Sequence, residues 1–485
     1  MKKMKTKHIL YGCLLGGAML VSSCSDFTDV QPKGKNLLST TTQLEMLLNR
    51  EFYMSSGDGP QFLGDLITTL NNVPNLLSQP TPTRTSIILE WDASLQDRLA
   101  ELTASDDEYD SYYGVIGQVA NPILSHIDAA TGDPAVKNQL RCEALTLRAY
   151  FHYLVVNKFA KAYNPATAAE DPGVPYVLET QDVAQPTVKM TVQEVYDHIL
   201  VDVQEAIDLD GMPTVAVNRM RMSKPCAYAV KALALLSMQR FDEAEEAARQ
   251  ALALNGAVDN YYEMLTTSAD ATGNPYNVLL RPQLECQEDM FFTYYMEYFE
   301  ALTPESMERF EPGYATMELI DTDKKMYAGT MPGMATSMLG LDDRYIMTMD
   351  LNSGWNMAGL RTTQMYLIVA EAEIHKGNYA EAMHALDAIR VNRLAPETYQ
   401  PLEGTVTTEA DAIRHLKQVS HGENIYSVYN FIHRKRWNQV SGWEETFTKT
   451  LAGNTYTLTP DSPLWIFPFG QNVLSNNPNI TQNYK

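Results

Sequence analysis

Residues 227–251 read AYAVKALALLSMQRFDEAEEAARQA, and residues 365–389 read MYLIVAEAEIHKGNYAEAMHALDAI. Each stretch contains two alanine-rich apolar runs with helical spacing, separated by a short polar turn. A shift of 138 residues superimposes one stretch on the other. The aligned pairs are Val230 with Ile368, Ala234 with Ala372, Phe241 with Tyr379, Glu243 with Glu381, and Ala244 with Ala382. The chain therefore repeats a helix–turn–helix unit.

This repeated unit resembles the tetratricopeptide pattern. One such unit cannot bury its apolar stripe alone, so several units must stack. Two further amphipathic segments precede the repeats, one around residues 147–154 and one that begins at a Thr191–Glu194 capping box. We predict a mostly α fold, a right-handed array of about four tetratricopeptide-like helix pairs.

Long insertions separate the predicted helix pairs. Residues 53–114, 161–188, 256–360 and 439–485 are rich in glycine, proline, asparagine and tyrosine. We predict loop-rich insertions there, with a few short strands in the second half of the chain. Binding residues are often carried by loops on a rigid scaffold, so these insertions are the predicted location of a ligand site.

Composition excludes several classes of protein. The chain has 485 residues, 37 basic and 60 acidic, and a formal charge of −23. Its 45 % hydrophobic content rules out a disordered chain, and its length rules out a disulfide-framework miniprotein. The negative charge argues against a nucleic-acid partner, because phosphate binding needs a basic face.

The amino terminus has the features of a lipoprotein signal peptide. Lysines at positions 2, 3, 5 and 7 precede an apolar run over residues 9–21, which is too short to span a bilayer. Residues 20–24, LVSSC, resemble a bacterial lipobox. We therefore expect residues 1–23 to be removed and Cys24 to carry lipid chains that anchor the protein without spanning the membrane.

The three remaining cysteines, Cys142, Cys226 and Cys286, do not indicate a disulfide framework. Their number is odd and no CxxC pair is present. We expect them to be small buried side chains.

Several segments together resemble the SusD/RagB family. They are EALTLRAYFHYL at 143–154, TVQEVYDHILVDVQEAI at 191–207, YLIVAEA at 366–372 and NPNITQN at 477–483. Together with matches at 24–34 and 109–124, they follow the order of that family and span nearly the whole chain. One departure lies at residues 413–437, which keep Arg436-Trp437 but lack the Glu-Arg and Glu-Leu pairs that often precede it.

This resemblance implies an outer-membrane lipoprotein on the cell surface that acts as a lid on a SusC-like TonB-dependent β-barrel transporter. Such proteins capture an oligosaccharide, or a peptide in one branch, and are not enzymes. The resemblance implies no cofactor. After the signal peptide at 1–23, residues 24–255 would form the SusD-like helical-repeat part. Residues 256–485 would complete the same compact unit.

Catalytic and metal-binding motifs are missing from the sequence, which contains no HExxH, GxSxG, Walker or GxGxxG pattern. We therefore predict no catalytic residue and no metal site. The acidic run at 106–110, DDEYD, has calcium-type ligands, but a solvated acidic loop is the favoured interpretation.

Aromatic residues in the insertions are the predicted ligand contacts. A flat ring packs against the C–H face of a sugar while polar neighbours bond its hydroxyls. Trp91 and Trp355 are selected because polar residues flank them. Tyr109 is selected because the resemblance places it where some relatives carry a ligand-binding tryptophan.

Three alternatives to glycan capture remain open from the sequence. A peptide-binding relative would keep the fold but change the ligand. A surface glycoside hydrolase would require a carboxylate pair in a cleft, whereas a binding protein would present aromatic rings on an insertion face. A structural surface lipoprotein would bind no ligand.

Overall fold

The computed structural model describes residues 38–54, 66–67, 71–182, 184–269, 275–279, 285–295, 299–314, 319–321, 326–327, 335–349 and 356–485. Residues Ser39–Lys485 belong to one compact unit. The predicted signal peptide, the predicted lipid-bearing Cys24 and the predicted ligand contact Trp355 lie outside the described residues. In the part of the chain that the structure describes, no helix is both long and apolar enough to cross a membrane.

Helices dominate the described residues. The α-helices are α1 Thr41–Leu48, α2 Val73–Leu77, α3 Arg84–Glu90, α4 Gln96–Leu102, α5 Asp107–Val115, α6 Asn121–His126, α7 Pro134–Phe159, α8 Val192–Leu209, α9 Lys224–Ser237, α10 Phe241–Leu254, α11 Tyr261–Met264, α12 Pro304–Met307, α13 Thr362–His375, α14 Tyr379–Arg390, α15 Glu409–Asn424, α16 Val428–Trp437 and α17 Gln471–Asn476. The prediction of a mostly α fold is confirmed.

Four helix pairs form the scaffold, and each consists of two helices that follow one another in the chain. The pairs are α7 with α8, α9 with α10, α13 with α14, and α15 with α16. The two repeats that are similar in sequence are also neighbours in space, because α10 packs against α13. The rings of Phe241 and His375 stack there with centroids 3.8 Å apart. Arg249 Nη2 donates a hydrogen bond to Glu381 Oε1 at 3.0 Å, which joins α10 to α14.

The predicted capping box at Thr191 is confirmed. Thr191 Oγ1 accepts a hydrogen bond from the Glu194 backbone N–H at 3.2 Å, and Glu194 Oε2 accepts one from the Thr191 N–H at 2.8 Å. Both bonds satisfy amides that lack a partner within the helix. Helix α8 therefore begins where the sequence predicts.

The strands are short and lie mainly in the second half. They are β1 Tyr53–Met54, β2 Leu66–Ile67, β3 Leu265–Ala269, β4 Pro275–Leu279, β5 Asp289–Phe291, β6 Tyr294–Tyr295, β7 Phe299–Leu302, β8 Leu319–Asp321, β9 Met326–Tyr327, β10 Ile346–Met349, β11 Leu360–Arg361, β12 Phe447–Leu451 and β13 Asn454–Leu458. Strands β12 and β13 form an antiparallel hairpin near the carboxyl terminus. The predicted few short strands in the insertions are confirmed.

One predicted insertion is more ordered than expected. The sequence predicts a loop-rich insertion over residues 53–114, but α2, α3, α4 and most of α5 lie in this range. Helix α3 begins at a capping box formed by Thr83 and Ser86. The sequence signal for it is weak, because serine replaces the usual glutamate or glutamine at the third helical position. The residues of α3 are mostly buried, so this segment packs as part of the scaffold.

Buried ion pairs connect the helices. Arg148 on α7 donates two hydrogen bonds to Asp202 on α8, at 2.7 and 2.8 Å. Arg221 Nε donates to Glu143 Oε2 at 2.6 Å and ties α7 to the segment before α9. The charged residues of the 143–154 motif therefore hold the scaffold together.

The three cysteines are buried and unbonded to one another, as predicted. Cys142, Cys226 and Cys286 form no disulfide with one another, and each is at most 1 % exposed. Burial raises the pKa of the Cys226 thiol to about 11, which keeps it protonated and unreactive at neutral pH.

Candidate functional site

The structure places Trp91 inside the protein. Its side chain is 5 % exposed, although an exposed ring is what a sugar platform requires. Trp91 ends helix α3 in a left-handed conformation with φ +52°. The ammonium group of Lys449 lies 3.8 Å from the ring centroid. The Trp91 ring therefore packs toward the β12–β13 hairpin, and a ligand contact at Trp91 stays a prediction.

Tyr109 is half-buried in an aromatic cluster. Its ring centroid lies 4.7 Å from that of Tyr113 and 5.4 Å from that of Phe159. Burial raises the pKa of the Tyr109 hydroxyl to about 12. The ring therefore serves packing in this structure, and its predicted ligand contact stays a prediction.

The acidic run at residues 106–110 is not a solvated loop. Asp106 and Glu108 are 5 % and 2 % exposed. Lys158 Nζ lies 2.8 Å from Asp106 Oδ2 and 2.6 Å from Glu108 Oε2. The prediction of a solvated acidic loop is therefore wrong for these two carboxylates, because both are buried against one lysine of α7.

A cleft of about 440 Å³ lies between α15, α16 and the segments that carry Glu308–Arg309 and Glu445–Phe447. We call it the basic cleft. This volume lies in the usual range for small-molecule sites, roughly 300–1,000 Å³. Its lining consists of Glu308, Arg309, Ala410, Ile413, Arg414, Lys417, Gln418, Ser420, His421, Asn430, Arg434, Trp437, Glu445 and Phe447. Charged groups, amides, a hydroxyl and two aromatic rings thus face one cavity.

Helix periodicity explains how α15 presents its polar residues to the cleft. Arg414, Lys417 and His421 are separated by three and four positions, so they lie on one helix face. Helix α16 contributes Arg434 and Trp437, which are also three positions apart. The two packed helices therefore supply a rigid basic wall.

Two guanidinium groups contact the same aromatic ring, that of Phe447 on β12. The Cζ atoms of Arg309 and Arg434 each lie 4.5 Å from the ring centroid of Phe447. This distance is within the range of a cation–π contact. Arg434 Nη2 also donates to His421 Nδ1 at 3.1 Å, and His421 Nε2 donates to the Ser306 carbonyl at 3.0 Å. These contacts fix the orientation of both cations.

Glu445 is the carboxylate that joins the cations of the cleft. Its Oε2 lies 3.3 Å from Lys417 Nζ, and its Oε1 lies 3.5 Å from Arg309 Nη2. Lys417 Nζ also donates to the Trp443 carbonyl at 2.7 Å. The cleft thus already holds a carboxylate between two positive groups.

Strand β12 connects the basic cleft to Trp91. Phe447, Lys449 and Leu451 alternate with more exposed residues, so their side chains lie on the inner face of the strand. Phe447 contacts the cations of the cleft, and Lys449, two residues later, contacts the Trp91 ring. Trp91 therefore supports the strand that forms one wall of the cleft.

Among the described residues, no three histidine, cysteine, aspartate or glutamate side chains converge to hold a metal ion. The described tryptophans, at positions 91, 437, 443 and 465, are all at most 5 % exposed. The exposed aromatic face that sequence reasoning expects is not formed by these four residues.

Sequence reasoning missed the basic cleft. A signal was present in the runs RHLK at 414–417 and HRKRW at 433–437, which are strongly basic in an acidic chain. The run at 433–437 does not all face the cleft, since Arg436 Nη2 is buried against Glu371 Oε2 at 2.6 Å. Which basic residues face a cavity depends on packing that the sequence does not display.

Comparison with known proteins agrees with this architecture. A family model named SusD-like and described as "starch-binding associating with outer membrane" matches residues 74–236, about a third of the chain. No curated protein matches the chain.

Solved structures resemble the chain over most of its length. A SusD superfamily protein from Bacteroides thetaiotaomicron is 18 % identical with a TM-score of 0.63, and the match covers 92 % of this chain and 99 % of that one. A SusD-like carbohydrate binding protein from Bacteroides vulgatus is 16 % identical with a TM-score of 0.59, covering 92 % and 98 %. The surface glycan-binding protein A from Bacteroides uniformis is 14 % identical with a TM-score of 0.60, covering 92 % and 100 %. At these identities the likeness establishes the fold.

Proposed function

We propose, from the premise that this chain belongs to the SusD/RagB family, that it captures a nutrient glycan at the cell surface. The captured oligosaccharide would pass to a SusC-like TonB-dependent β-barrel transporter in the outer membrane. Cys24 would carry the lipid anchor, and the protein would act by binding, without catalysis. The matching family model, which is described as starch-binding and outer-membrane-associated, supports the proposal.

The observation that carries this proposal is the basic cleft on the rigid wall of α15 and α16. Sugar recognition needs hydrogen-bonding groups for hydroxyls and aromatic surface for C–H faces. Gln418, Ser420 and Asn430 supply hydrogen-bonding groups, while the Trp437 and Phe447 rings line the cleft with only their edges accessible, at 5 % and 2 % exposure. A pre-formed cleft loses little conformational entropy on binding, which suits a protein that must capture dilute ligand.

Delivery requires that binding be reversible. A cleft of about 440 Å³ would hold only part of a long oligosaccharide, so the rest of the sugar would stay available to a partner. We expect the affinity to be modest, with a dissociation constant on the order of micromolar to millimolar, equivalent to about 4–8 kcal/mol. A transporter that binds the same oligosaccharide more tightly would then draw it from the cleft.

The glycan proposal is tested by affinity gel electrophoresis of the full chain in detergent micelles. Gels would contain starch, xylan, pectin or a sulfated glycan, and a parallel assay would search for cleaved products. We expect retardation by at least one glycan without cleavage. Retardation by none of them, together with capture of peptides from a peptide panel, would replace the glycan with a peptide ligand. Product formation would identify a glycoside hydrolase instead.

The anchor and partner proposals are tested in cells. A Cys24→Ala variant should lose incorporation of labelled palmitate and should leave the outer-membrane fraction. Cross-linking of the unaltered protein should recover a TonB-dependent β-barrel transporter. Recovery of the Cys24→Ala variant in the outer membrane with full palmitate labelling would contradict the assigned anchor.

A further inference from the structure

We infer that the basic cleft binds the anionic group of an acidic glycan, either a uronate carboxylate or a sulfate ester. This inference rests on the proposed function and names the class of ligand for it. It is carried by the charge, the exposure and the geometry of the cleft residues.

The charge of the cleft is opposite to that of the whole chain. Arg309, Arg414, Lys417 and Arg434 line the cleft, together with the carboxylates Glu308 and Glu445. Arg414 also pairs with Asp411 at 3.2 Å, so among the described side chains four cations and three carboxylates leave a positive excess of one charge, although the chain as a whole carries −23. A local positive excess in an acidic protein favours an anionic ligand at this cavity over other parts of the surface.

The cations are placed where solvent screens them only partly. The side chains of Lys417 and Arg309 are 20 % and 25 % exposed, so a ligand can reach them while much of the surrounding water is excluded. An ion pair in this environment is stronger than one on an open surface. Arg414 is 58 % exposed and lies at the rim.

The geometry of Glu445 shows that the cations accept a carboxylate. Its two oxygens lie 3.3 Å from Lys417 Nζ and 3.5 Å from Arg309 Nη2. These contacts are longer than a charge-assisted hydrogen bond, which is usually about 2.7–2.9 Å. Lys417 has three N–H donors, of which one is directed at the Trp443 carbonyl at 2.7 Å, and Arg309 has five, so both cations can contact an anion in addition to Glu445.

Neutral sugars would use only part of this site. Their hydroxyls can bond the amides and the carboxylates, but they gain nothing from the positive excess. A uronate or sulfated residue would gain ion pairs with Lys417 and Arg309 in addition to those bonds. The cleft therefore favours an acidic sugar over the neutral sugar of the same shape.

The test compares ligands that differ in charge alone. Oligogalacturonides would be titrated into the full chain as free acids and as methyl esters, which share one backbone. Chondroitin oligosaccharides with and without sulfate would form the second arm. Preference for the free acid in the first arm identifies a carboxylate site, and preference for the sulfated form in the second identifies a sulfate site.

Three variants separate charge recognition from damage to the fold. Lys417→Gln should weaken binding of the acidic ligand by about three- to tenfold, the loss of one partly exposed ion pair. Glu445→Gln should strengthen binding, because it removes the internal carboxylate that competes for the same cations. The control is Arg98→Gln, which removes an exposed cation from an i,i+3 pair on α4 and should leave binding unchanged.

The outcomes separate this inference from the proposed function. Charge preference with opposite effects of Lys417→Gln and Glu445→Gln would support it. Equal binding of the acid and ester forms, or binding of neutral glycans alone, would overturn the inference and leave glycan capture standing. Binding of no glycan would overturn both. Binding of acidic peptides in place of glycans would also overturn both.

Discussion

The guanidinium of Arg393 is fully buried and is neutralised by two carboxylates from different parts of the chain. Its Nη2 lies 2.7 Å from Glu288 Oε2, and its Nε lies 2.7 Å from Glu423 Oε1. Arg393 Nη1 also donates to the Asp259 carbonyl at 2.6 Å. These two carboxylates hold the pKa of Arg393 well above its usual value, although burial opposes the charge. One side chain thus connects the insertion before α13 to α15.

Removal of Arg393 should be strongly destabilising. An Arg393→Met variant removes the nearest cation from two buried carboxylates, which keep the longer contacts to Arg361 at 4.0 and 3.5 Å, so we expect the free energy of unfolding to fall by about 3 kcal/mol. The control is Arg98→Met, which breaks an exposed pair with Glu101 and should cost less than about 1 kcal/mol. Urea denaturation of both variants measures the difference. Equal stability of the two would contradict this role for Arg393.

His152 makes the protein sensitive to acid. Its Nδ1–H donates to the Arg148 carbonyl at 2.8 Å, and its Nε2 accepts from the Val177 N–H at 2.9 Å. The bond from Val177 requires the neutral ring, because a protonated Nε2 cannot accept a hydrogen bond. Burial, the largest cause, lowers the pKa of His152 from 6.5 to about 3 in the folded chain.

The sign of this effect follows from proton binding. Between pH 6.5 and about 3 the unfolded chain holds the His152 proton and the folded chain does not, so stability falls as pH falls. One such group contributes up to about 1.4 kcal/mol per pH unit. We expect His152→Gln to flatten the dependence of unfolding free energy on pH below 6.5. Parallel curves for the variant and the natural chain would contradict the neutral state of His152.

At the scale of elements, Gly422 shows where packing outweighs helix propensity. It lies in α15, and a Cβ built at this position would come within 2.7 Å of ring carbons of Tyr314. Tyr314 cannot move easily, because it is buried and its hydroxyl donates to Glu423. Glycine allows α15 to approach the insertion that carries Tyr314.

We expect Gly422→Ala to destabilise the protein by about 1–3 kcal/mol, even though alanine favours helices. The matched control is Gly117→Ala in the helical segment Ile116–Ala120, where a Cβ would have no neighbour within 4 Å. That substitution should stabilise by about 0.5–1 kcal/mol. Thermal unfolding of both variants shows whether each substitution raises or lowers the stability of the protein. A stabilising Gly422→Ala would show that α15 does not need this close approach.

The helix pairs could be predicted from sequence because their signals are local. Each repeat is recognised from apolar residues three or four positions apart, and the Thr191 capping box joins residues three positions apart. The basic cleft could not be predicted in this way, since Arg309, Lys417 and Phe447 come from three separate segments. The same limit applies to Asp106, whose burial depends on Lys158 in a later helix. Contacts distant in sequence decide which charged residues are buried and which line a cavity.

At the scale of the whole molecule, the protein combines a rigid helical scaffold with a positively charged cleft, although the chain as a whole is negatively charged. The long insertion between α10 and α13 contributes Arg309 to this cleft, and the carboxyl-terminal hairpin contributes Phe447. The packed helix pairs keep the cleft residues in place.

Direct titration tests the central proposal of glycan capture. The full chain in detergent micelles would be titrated calorimetrically with defined neutral and acidic oligosaccharides, and the sugar would then be recovered and sized by chromatography. The account predicts saturable heat with at least one oligosaccharide, which is recovered at its original length. Absence of heat with every sugar, or recovery of shortened sugar, would contradict it.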